Sequence, residues 1–521
     1  MKINLSDHRH LVTALQQQPH FGHAVGPIEH IETHISSILL TGDYAYKIKK
    51  PVDLGFLNFS TLAKRKHYCE EELRLNGRTA PDIYLSVVTI NGSIEQPQIN
   101  GNGPIIEYAV KMRQFDQSGL LGNLLRQGKL NNAIIDELAD VISAFHSTAA
   151  IISTDSNLGS DASVYAPMIK NIEIIRPLLD DPHEQDRLNR LQTWSDNEHK
   201  QLGLTLTQRK SNGFIRECHG DLHLDNITRI NGVVTLFDGI EFNEPLHWID
   251  VISDLAFTSM DLIDHGAATL AWRLINRYLE HSGDYAGLEV LRFYQVYRAM
   301  VRAKIACIRL DQLDLADKKR ADAIQQYRDY AALAEQLTIP QKPLLILTCG
   351  LSGSGKSWLS QQLLEALPAC RIRSDVERKR LFPASQANRE EIDSDLYSAE
   401  ATEKTYQRLL TLSRHALTSG YATIVDAAFL KKAQRLPFQT QAKSLNCPVI
   451  VLHTRADQDI LKQRILRRST ESSNVSDATL EVLESQVNRF ERPTNAENLI
   501  EIDTGQQVKI NSVVERLRTI T

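Results

Sequence analysis

The stretch Leu344-Leu-Ile-Leu-Thr-Cys-Gly350-Leu-Ser-Gly-Ser-Gly355-Lys356-Ser357 decides the fold of the later part of the chain. An apolar run of strand length leads into the pattern G-x-x-x-x-G-K-[ST], and a helical stretch follows it. In this context the glycines let backbone N–H groups turn toward phosphate oxygens, and the helix points its positive end at the same anion. The residues predicted to bind the phosphates of ATP are Gly350, Leu351, Ser352, Gly353, Ser354, Gly355, Lys356 and Ser357.

Three further patterns follow this phosphate loop. Asp375 and Arg378 lie just past the expected end of a second strand, and the apolar run 422–426 ends in the carboxylate Asp426. A carboxylate at a strand end suits Mg²⁺ or its bound water, and the hydroxyl of Ser357 suits the same ion. Arg464 and Arg468 lie one turn apart on a predicted helix and share a face. Each pattern has a plainer explanation as a helix start, a common strand-end aspartate or an exposed basic face.

In this order the patterns resemble those of the P-loop kinases of the AAA type, which are relatives of polynucleotide and gluconate kinases. The resemblance covers residues 344–521. It implies that Asp375 accepts the proton of the attacking hydroxyl and that Arg378 helps to hold the acceptor. It also implies that Arg464 and Arg468 close over the transferring phosphate. These elements specify phosphoryl transfer and leave the acceptor open.

A second pattern lies in the first part of the chain. Residues 218–227 contain His-x-Asp-x-x-x-x-Asn, with Asp221 and Asn226 at the last two named positions, and Asp238 follows twelve residues later. Phosphoryl transfer from ATP needs a carboxylate at the acceptor hydroxyl and two oxygen ligands for the metal ions. The histidines at 219 and 223 lack the spacing of a zinc site. We therefore predict Asp221 as the catalytic base and Asn226 and Asp238 as metal ligands.

This loop resembles that of the aminoglycoside phosphotransferase and choline kinase family, which has His-Gly-Asp where protein kinases have His-Arg-Asp. The resemblance covers residues 25–335 and implies an ATP-binding lysine on a strand and a glutamate on the next helix. Ala45-Tyr-Lys47 and Glu72 fit these positions, while Lys49 and Lys50 leave the choice of lysine open. A G-x-G-x-x-G loop is absent near residues 20–40, which leaves the phosphate-covering segment unassigned.

Two domains of different fold class are expected, one α+β and one α/β. Two strand-like runs around Thr41-Gly42-Asp43 predict a hairpin, and a helix-rich body follows the strand-rich start. Prolines 340 and 343 mark a linker at 338–343, beyond which strands and helices alternate. We predict a protein-kinase-like bilobal domain at 1–337 and a P-loop NTPase domain at 344–521. The latter should be a three-layer α/β/α sandwich around a parallel sheet.

Composition limits the class of protein. The 521 residues have a net charge of -5, distributed as 34 basic against 43 acidic residues in 1–340 (-9) and 25 against 21 in 341–521 (+4). A mildly basic part suits phosphate-bearing ligands but does not favour nucleic acid as a partner. The six cysteines form no Cys-x-x-Cys pair, and the sequence shows no signal peptide or apolar stretch of membrane-spanning length. These features predict a cytoplasmic protein without a membrane partner.

As a whole the chain resembles the bacterial fusion proteins known as bifunctional aminoglycoside phosphotransferase/ATP-binding proteins. The resemblance implies an ATP- and Mg²⁺-dependent phosphotransferase with two sites, each acting on a hydroxyl of a small molecule such as a sugar, amino sugar or nucleoside. It does not establish aminoglycosides as substrates. Two alternatives remain. The C-terminal domain is a polynucleotide 5′-hydroxyl kinase, or one domain binds ATP only and regulates the other.

Overall fold

Two sheets of different kind organise the chain. The computed structural model describes residues 3–17, 20–55, 57–311, 317–383, 398–469 and 479–520. Two compact units account for the chain, unit 1 from Met1–Asn171 and Gly203–Asp261, and unit 2 from Ile172–Leu202 and Leu262–Thr521. Within these described ranges, every helix is too short or too polar to cross a membrane.

The strands and helices are numbered here in chain order. The strands are β1 (Glu29–Glu32), β2 (Ser36–Leu40), β3 (Tyr44–Lys49), β4 (Tyr84–Gly92), β5 (Pro97–Ile99), β6 (Ile105–Arg113), β7 (Ile215–Glu217), β8 (Ile227–Ile230), β9 (Val233–Leu236), β10 (Trp248–Asp250), β11 (Leu345–Cys349), β12 (Ala369–Arg373), β13 (Ala422–Asp426), β14 (Val449–Arg455) and β15 (Leu499–Asp503). The helices are α1 (Leu5–Gln17), α2 (Leu62–Asn76), α3 (Leu121–Arg126), α4 (Asn132–Thr148), α5 (Asp161–Ile175), α6 (Pro182–Ser211), α7 (Glu244–His247), α8 (Val251–Asp264), α9 (Ala268–Ser282), α10 (Leu288–Asp311), α11 (Asp317–Thr338), α12 (Lys356–Ala366), α13 (Ser374–Leu381), α14 (Ala399–Thr418), α15 (Lys432–Ser444), α16 (Gln458–Ser469), α17 (Leu480–Arg489) and α18 (Ile510–Arg518).

Unit 1 contains an antiparallel six-stranded sheet in the order β1-β2-β3-β6-β4-β5. The predicted hairpin is confirmed as β2 and β3, and Gly42 at the turn has φ 101°, which favours glycine. Helix α2 begins after Thr61, whose side chain accepts a hydrogen bond from the N–H of Lys64 at 3.2 Å. The helix contacts β4 and β6, and this packing brings Glu72 into the interior beside β3.

The remaining strands of unit 1 form two small antiparallel pairs. β8 pairs with β9 in a hairpin that directly follows Asn226, and β10 pairs with β7. The hairpin accounts for most of the twelve residues that separate Asn226 from Asp238 in the sequence. A six-stranded sheet with one helix, followed by this hairpin and by helices, is the protein-kinase-like arrangement expected from the sequence.

Unit 2 contains a parallel five-stranded sheet in the order β12-β13-β11-β14-β15. The central strand β11 is buried along its whole length, as its continuous apolar sequence requires. Apolar side chains of α12 and α18 pack on one face of the sheet, and α14 and α15 contact strands from the other face. The predicted three-layer P-loop architecture is thereby confirmed.

Helix α9 is also part of unit 2 and covers the outer strand β12. The side-chain amide of Asn276 donates to the carbonyl of Ala369 at 2.8 Å and accepts from the N–H of Arg371 at 2.6 Å. One asparagine thus satisfies backbone groups that a neighbouring strand would otherwise pair with. Unit 2 therefore includes helices from both sides of the predicted linker at 338–343. The domain boundaries themselves stay a prediction.

A buried ion pair in unit 2 provides a test of its stability. The Arg435 guanidinium is almost fully buried and donates to Glu497 at 2.7 and 3.1 Å and to the carbonyl of Phe429 at 2.9 Å. We expect Arg435→Met to lower the free energy of unfolding by about 3 kcal/mol, because Glu497 would keep its charge in a buried position without this partner. Urea denaturation of the variant measures the change.

The exposed pair Arg455–Asp503, at 3.7 Å, supplies the matched control. Arg455→Met should change the free energy of unfolding by no more than about 0.5 kcal/mol, since solvent screens this pair. Equal losses in the two variants would contradict the assigned role of burial.

Candidate active sites

Residues 218–227 of unit 1, which carry the predicted base Asp221 and are called the catalytic loop below, are held in place by a buried carboxylate. Asp254 on α8 accepts hydrogen bonds from the N–H groups of His219 and Gly220 at 2.8 and 2.9 Å. Gly220 has φ 86°, and a Cβ there would lie 2.5 Å from the carbonyl oxygen of Leu246. The loop therefore needs glycine at this position and takes its conformation from α8.

Within this loop, Asp221 and Asn226 contact each other directly. The Asn226 amide nitrogen donates to the backbone oxygen and to Oδ2 of Asp221, both at 2.9 Å. The amide oxygen of Asn226 takes no part in these two hydrogen bonds. The Asp221 side chain is about one-third exposed, and His223 Nε2 lies 3.4 Å from its Oδ2. A carboxylate placed in this way can meet a hydroxyl that arrives from solvent.

His219 joins the catalytic loop to the segment that carries Asp238. Its Nε2 donates to the carbonyl of Phe237 at 2.9 Å, and its Nδ1 accepts from the N–H of Asp221 at 3.3 Å. Burial lowers the pKa of His219, which favours the neutral ring that these two contacts require. The histidine thus orients the loop.

Asp238 adopts a backbone conformation that few residues other than glycine adopt. Its φ is 61°, its N–H donates to the hydroxyl of Tyr84 at 3.1 Å, and the next N–H, of Gly239, donates to Asn76 Oδ1 at 2.7 Å. Strained conformations of this kind persist where surrounding contacts fix them, and they cluster at functional sites. Side chains of α2 and β4 therefore hold Asp238 in place.

Of the three candidate lysines, Lys47 lies between the predicted glutamate and the predicted metal ligand. Its Nζ is 2.7 Å from Glu72 Oε1 and 2.5 Å from Asp238 Oδ1. Burial alone would lower the pKa of Lys47, but the carboxylates of Asp238 and Glu72 outweigh it and raise that pKa well above its ordinary value. The lysine is therefore charged and suited to bind phosphate oxygens.

Lys49 and Lys50 bind other partners. Lys49 Nζ contacts Glu72 Oε2 at 2.6 Å and also pairs with Glu241, and all three side chains are buried. Lys50 Nζ contacts Glu32 at 2.7 Å and the carbonyl of Thr33 at 2.5 Å. Because Lys47 and Lys49 are two residues apart on β3, both point to the same side of the sheet and share Glu72. This arrangement favours Lys47 as the ATP lysine.

The phosphate loop of unit 2 joins β11 to α12. Gly350, Gly353 and Gly355 have φ values of 147°, 80° and 87°, and a Cβ at any of them would crowd neighbouring atoms of Thr454, Leu461 or Thr504. Helix α12 begins at Lys356, so its N-terminal N–H groups face the loop. Lys356 Nζ donates to the loop carbonyls of Gly350 and Leu351 at 3.0 and 2.9 Å.

A cavity of about 200 Å³ opens beside this loop. Most of the predicted site residues of unit 2 line it, namely Ser352, Gly353, Gly355, Lys356, Ser357, Asp375, Arg378 and Asp426. Residues that were not predicted also line it, among them Arg373, Tyr406 and Gln486. Asp426 ends β13, and its Oδ2 accepts a hydrogen bond from Ser360 at 3.0 Å. Ser357 and Asp426 offer oxygen atoms on one cavity wall, which is the ligand chemistry that Mg²⁺ prefers.

Asp375 is a half-buried carboxylate of this cavity, which also contains the buried Asp426. Burial and the negative charge of Asp426 raise its pKa above the ordinary value of 3.8, and the cations Arg373, Lys356 and Arg378 oppose the rise. A carboxylate with a raised pKa is a stronger proton acceptor than an exposed one. The position and the chemistry of Asp375 therefore suit a general base.

Arg464 lies outside this cavity. Its guanidinium donates to the carbonyls of Gly353 and Thr504 at 3.1 and 2.7 Å and to the Thr504 hydroxyl at 3.0 Å. It lines a second cavity of about 750 Å³, on the Trp358 side of the loop. These contacts favour a role in holding the loop, while closure over a phosphate stays a prediction. The side chain of Arg468 lies outside the described residues.

Arg373 and Tyr406 are among the cavity residues that the sequence analysis did not predict as site residues. Arg373 is the last residue of β12, and Tyr406 of α14 has a hydroxyl that accepts from the N–H of Phe429 at 3.1 Å. The carboxyl ends of parallel strands gather at one edge of a sheet, so the position of Arg373 two residues before Asp375 was an available signal. No comparable signal indicated Tyr406, because a lone tyrosine on an amphipathic helix is typical of a core.

Residues 345–493 match the family model of the AAA domain. An uncharacterized protein of Mycobacterium tuberculosis is 29% identical over 453 residues, which cover 87% of this chain and 88% of that protein. An uncharacterized protein of Mycobacterium bovis is similar to the same extent.

Solved structures resemble each part of the chain at low identity. A choline/ethanolamine kinase family protein from Mesorhizobium loti covers 64% of this chain and 99% of its own, with 10% identity and a TM-score of 0.36. Kti12 from Chaetomium thermophilum, in complex with ADP-AlF3, covers 34% and 98%, with 18% identity and a TM-score of 0.28. A gluconokinase from Sinorhizobium meliloti covers 34% and 90%, with 17% identity and a TM-score of 0.26.

The fold class predicted from sequence is confirmed in both parts of the chain. The parallel sheet of unit 2 and the matched AAA domain give the P-loop fold. The sheet, helix and catalytic loop of unit 1 give the kinase-like fold.

The ion pairs that Glu72 forms with Lys47 and Lys49 provide a test of the stability of unit 1. We expect Lys49→Met to lower the free energy of unfolding by about 3 kcal/mol near neutral pH, because the buried carboxylates of Glu72 and Glu241 lose a common cation. Adding Glu241→Gln should recover most of the loss. Lys66→Met removes an exposed pair with Glu70 instead, and should change stability by no more than about 0.5 kcal/mol.

The loss in Lys49→Met should also depend on pH. Burial already raises the pKa of Glu241, and Lys49 opposes that rise. Without Lys49 the native state binds a proton more tightly than the unfolded state, so stability should fall as pH rises above about 4.5. Urea denaturation at several pH values measures this trend. A loss independent of pH, or one that Glu241→Gln does not relieve, would contradict the assigned pairing.

Proposed function

We propose that the protein is a bifunctional ATP-dependent phosphotransferase, in which each unit transfers the γ-phosphoryl group to a hydroxyl of a small molecule. The observation that supports this most directly is that each unit brings together three kinds of group. These are a cation for phosphate oxygens, a carboxylate for the acceptor hydroxyl and oxygen ligands for a metal ion. The sugar, amino sugar or nucleoside class of acceptor follows from the sequence resemblances.

In the phosphate-loop site, the loop N–H groups and Lys356 bind phosphate oxygens, and Ser357 and Asp426 hold Mg²⁺. ATP bound with Mg²⁺ supplies the phosphoryl group. Asp375 accepts the proton of the acceptor hydroxyl, while Arg378, buried in the same cavity, holds the acceptor. These groups share a small, largely buried space, where charge stabilisation is stronger than in water.

The second cavity fits the nucleoside end of the same ligand. It meets the first cavity at Gly355 and is lined by Trp358, Gln362, Arg464 and Arg467. A purine can stack on an aromatic ring or a guanidinium plane while amide groups bind its edge. The phosphate loop would then lie between the nucleoside on one side and the acceptor on the other.

In unit 1, Lys47 binds phosphate oxygens, and Glu72 holds it through a buried ion pair of 2.7 Å. Asn226 and Asp238 serve as metal ligands. Asp221 orients the acceptor hydroxyl and accepts its proton. Because His219 bonds both the catalytic loop and Phe237, the base and the metal ligands form one hydrogen-bonded assembly.

Transfer of labelled γ-phosphate from ATP into a desalted metabolite extract tests both sites. We expect Asp221→Asn and Lys356→Ala each to abolish a different labelled small molecule, with a loss of at least about a hundredfold. Asp225→Asn, on the same loop as Asp221, is the control and should retain its product.

Other outcomes separate the alternatives. Label in added oligonucleotide ends that depends on Lys356 would identify a polynucleotide kinase. Loss of one product in both variants would indicate that one unit regulates the other. A product profile unchanged by either substitution would contradict the proposal.

The phosphate-loop reaction should lose activity in acid at a pH above the ordinary aspartate range. Asp375 must be ionised to accept a proton, and its pKa is raised by burial and Asp426 and lowered by Arg373, Lys356 and Arg378. Arg373→Gln removes one lowering charge and should move the acid limb of kcat to higher pH. The Asp221-dependent reaction is the internal control. A shift of the limb to lower pH would contradict the role of Asp375 as base.

A further inference from the structure

Helix α9 lies outside the matched AAA domain and yet contacts the strand that leads into the acceptor cavity. Its Glu280 carboxylate binds two arginines of β12. Oε1 accepts from Arg371 Nε and Nη2 at 3.1 and 2.8 Å, and Oε2 lies 3.4 Å from Arg373 Nη1. Both arginines point to the same side of β12, because they are two residues apart on the strand.

Each of these two arginines connects Glu280 to residues of the cavity. Arg373 lines the cavity together with Asp375 and Asp426. Arg371 Nη1 lies 3.4 Å from Ser360 Oγ, which in turn donates to Asp426 at 3.0 Å. Glu280 of α9 is therefore linked to the metal-ligand candidate Asp426 through Arg371 and Ser360, and it binds Arg373, which lines the same cavity as the base candidate.

The C-terminal end of α9 also binds helix α13, which carries Asp375 and Arg378. Arg380 of α13 donates to the carbonyl of Glu280, where a cation is favourable at a helix C-terminus. Helix α9 ends at Ser282, and its C-cap Gly283 has φ 73°, where a Cβ would lie 2.9 Å from Arg380 Nε. Two elements of the cavity wall, β12 and α13, are thus fixed to the same helix turn.

The charges explain why this contact matters for chemistry. Asp375 and Asp426 attract Arg373 as Glu280 does, and all three carboxylates raise its pKa against the effect of burial. Without Glu280, Asp375 and Asp426 would be the carboxylates left to attract the Arg373 guanidinium. Glu280 therefore keeps the guanidinium at the cavity wall and the base available.

We propose that Glu280 is a positioning residue of the phosphate-loop site, so that α9 completes a site that the AAA domain alone does not contain. The proposal rests on the proposed function of that site. It assigns to Glu280 no contact with the nucleotide, only the orientation of Arg373 and Arg371.

Binding of ADP alone and of ADP with Mg²⁺ and aluminium fluoride tests this in the full chain. The fluoride complex imitates the transferring phosphoryl group, so it reports on the cavity without a known acceptor. Aluminium fluoride should increase the affinity of the wild type for ADP, and we expect Glu280→Gln to reduce this increase on the order of tenfold. The affinity for ADP alone should stay within about twofold of the wild-type value. Glu365→Gln is the matched control, because it removes the carboxylate of another ion pair of α9, Arg273–Glu365, which does not line the cavity.

A double-mutant cycle with Arg373→Gln separates positioning from general destabilisation. If Glu280 acts through Arg373, Glu280→Gln should have less effect in the Arg373→Gln background than in the wild type. The role of Glu280 would be refuted if aluminium fluoride increased ADP affinity equally in the wild type and in Glu280→Gln. It would also be refuted if Glu280→Gln and Glu365→Gln reduced this increase equally. Either result would leave the proposed function of the site intact. Absence of Lys356-dependent ADP binding by the wild type would overturn the proposed function of the site and this inference with it.

Discussion

A charged side chain that leaves water needs a partner of opposite charge, and this requirement places the functional residues of both units. In unit 1, Glu72 is fully buried between Lys47 and Lys49, and these lysines extend the network to Asp238 and Glu241. A strand, a helix and a loop meet in that network. A shift of any of these elements would leave a buried charge without its partner, so the same ion pairs that limit the fold also fix the groups expected to bind phosphate and metal.

Under the proposed function, the two sites would perform the same type of reaction with different parts of the chain. Unit 1 relies on side chains drawn from β3, α2 and two loops, and its order depends on Asp254 and His219. Unit 2 relies on backbone N–H groups at the start of a helix, and its glycines adopt conformations in which a Cβ would clash. Consequently the first site should be sensitive to changes in buried charge, and the second to changes in backbone shape.

The sequence predicted those features that a local stretch encodes. The phosphate loop and the catalytic loop are each contiguous, and the short spacing from Asn226 to Asp238 reflects a single hairpin. The choice of Lys47 over Lys49 was beyond the sequence, since both lie on one face of β3 and only contact with the distant Asp238 distinguishes them. Glu280 was invisible for the same reason, because its partners lie more than ninety residues away. The placement of Arg464 depends on the carbonyls of Gly353 and Thr504, whose positions no helix pattern reveals.

The cover that α9 places over β12 bears on how such a chain evolves. An outer strand presents unpaired N–H and C=O groups that invite pairing with another chain, and Asn276 occupies two of them here. A gene fragment encoding only the residues after α11 would yield a sheet with an open margin and with two arginines deprived of their carboxylate. Recombination could therefore not transfer the phosphate-loop module by itself without a risk of aggregation.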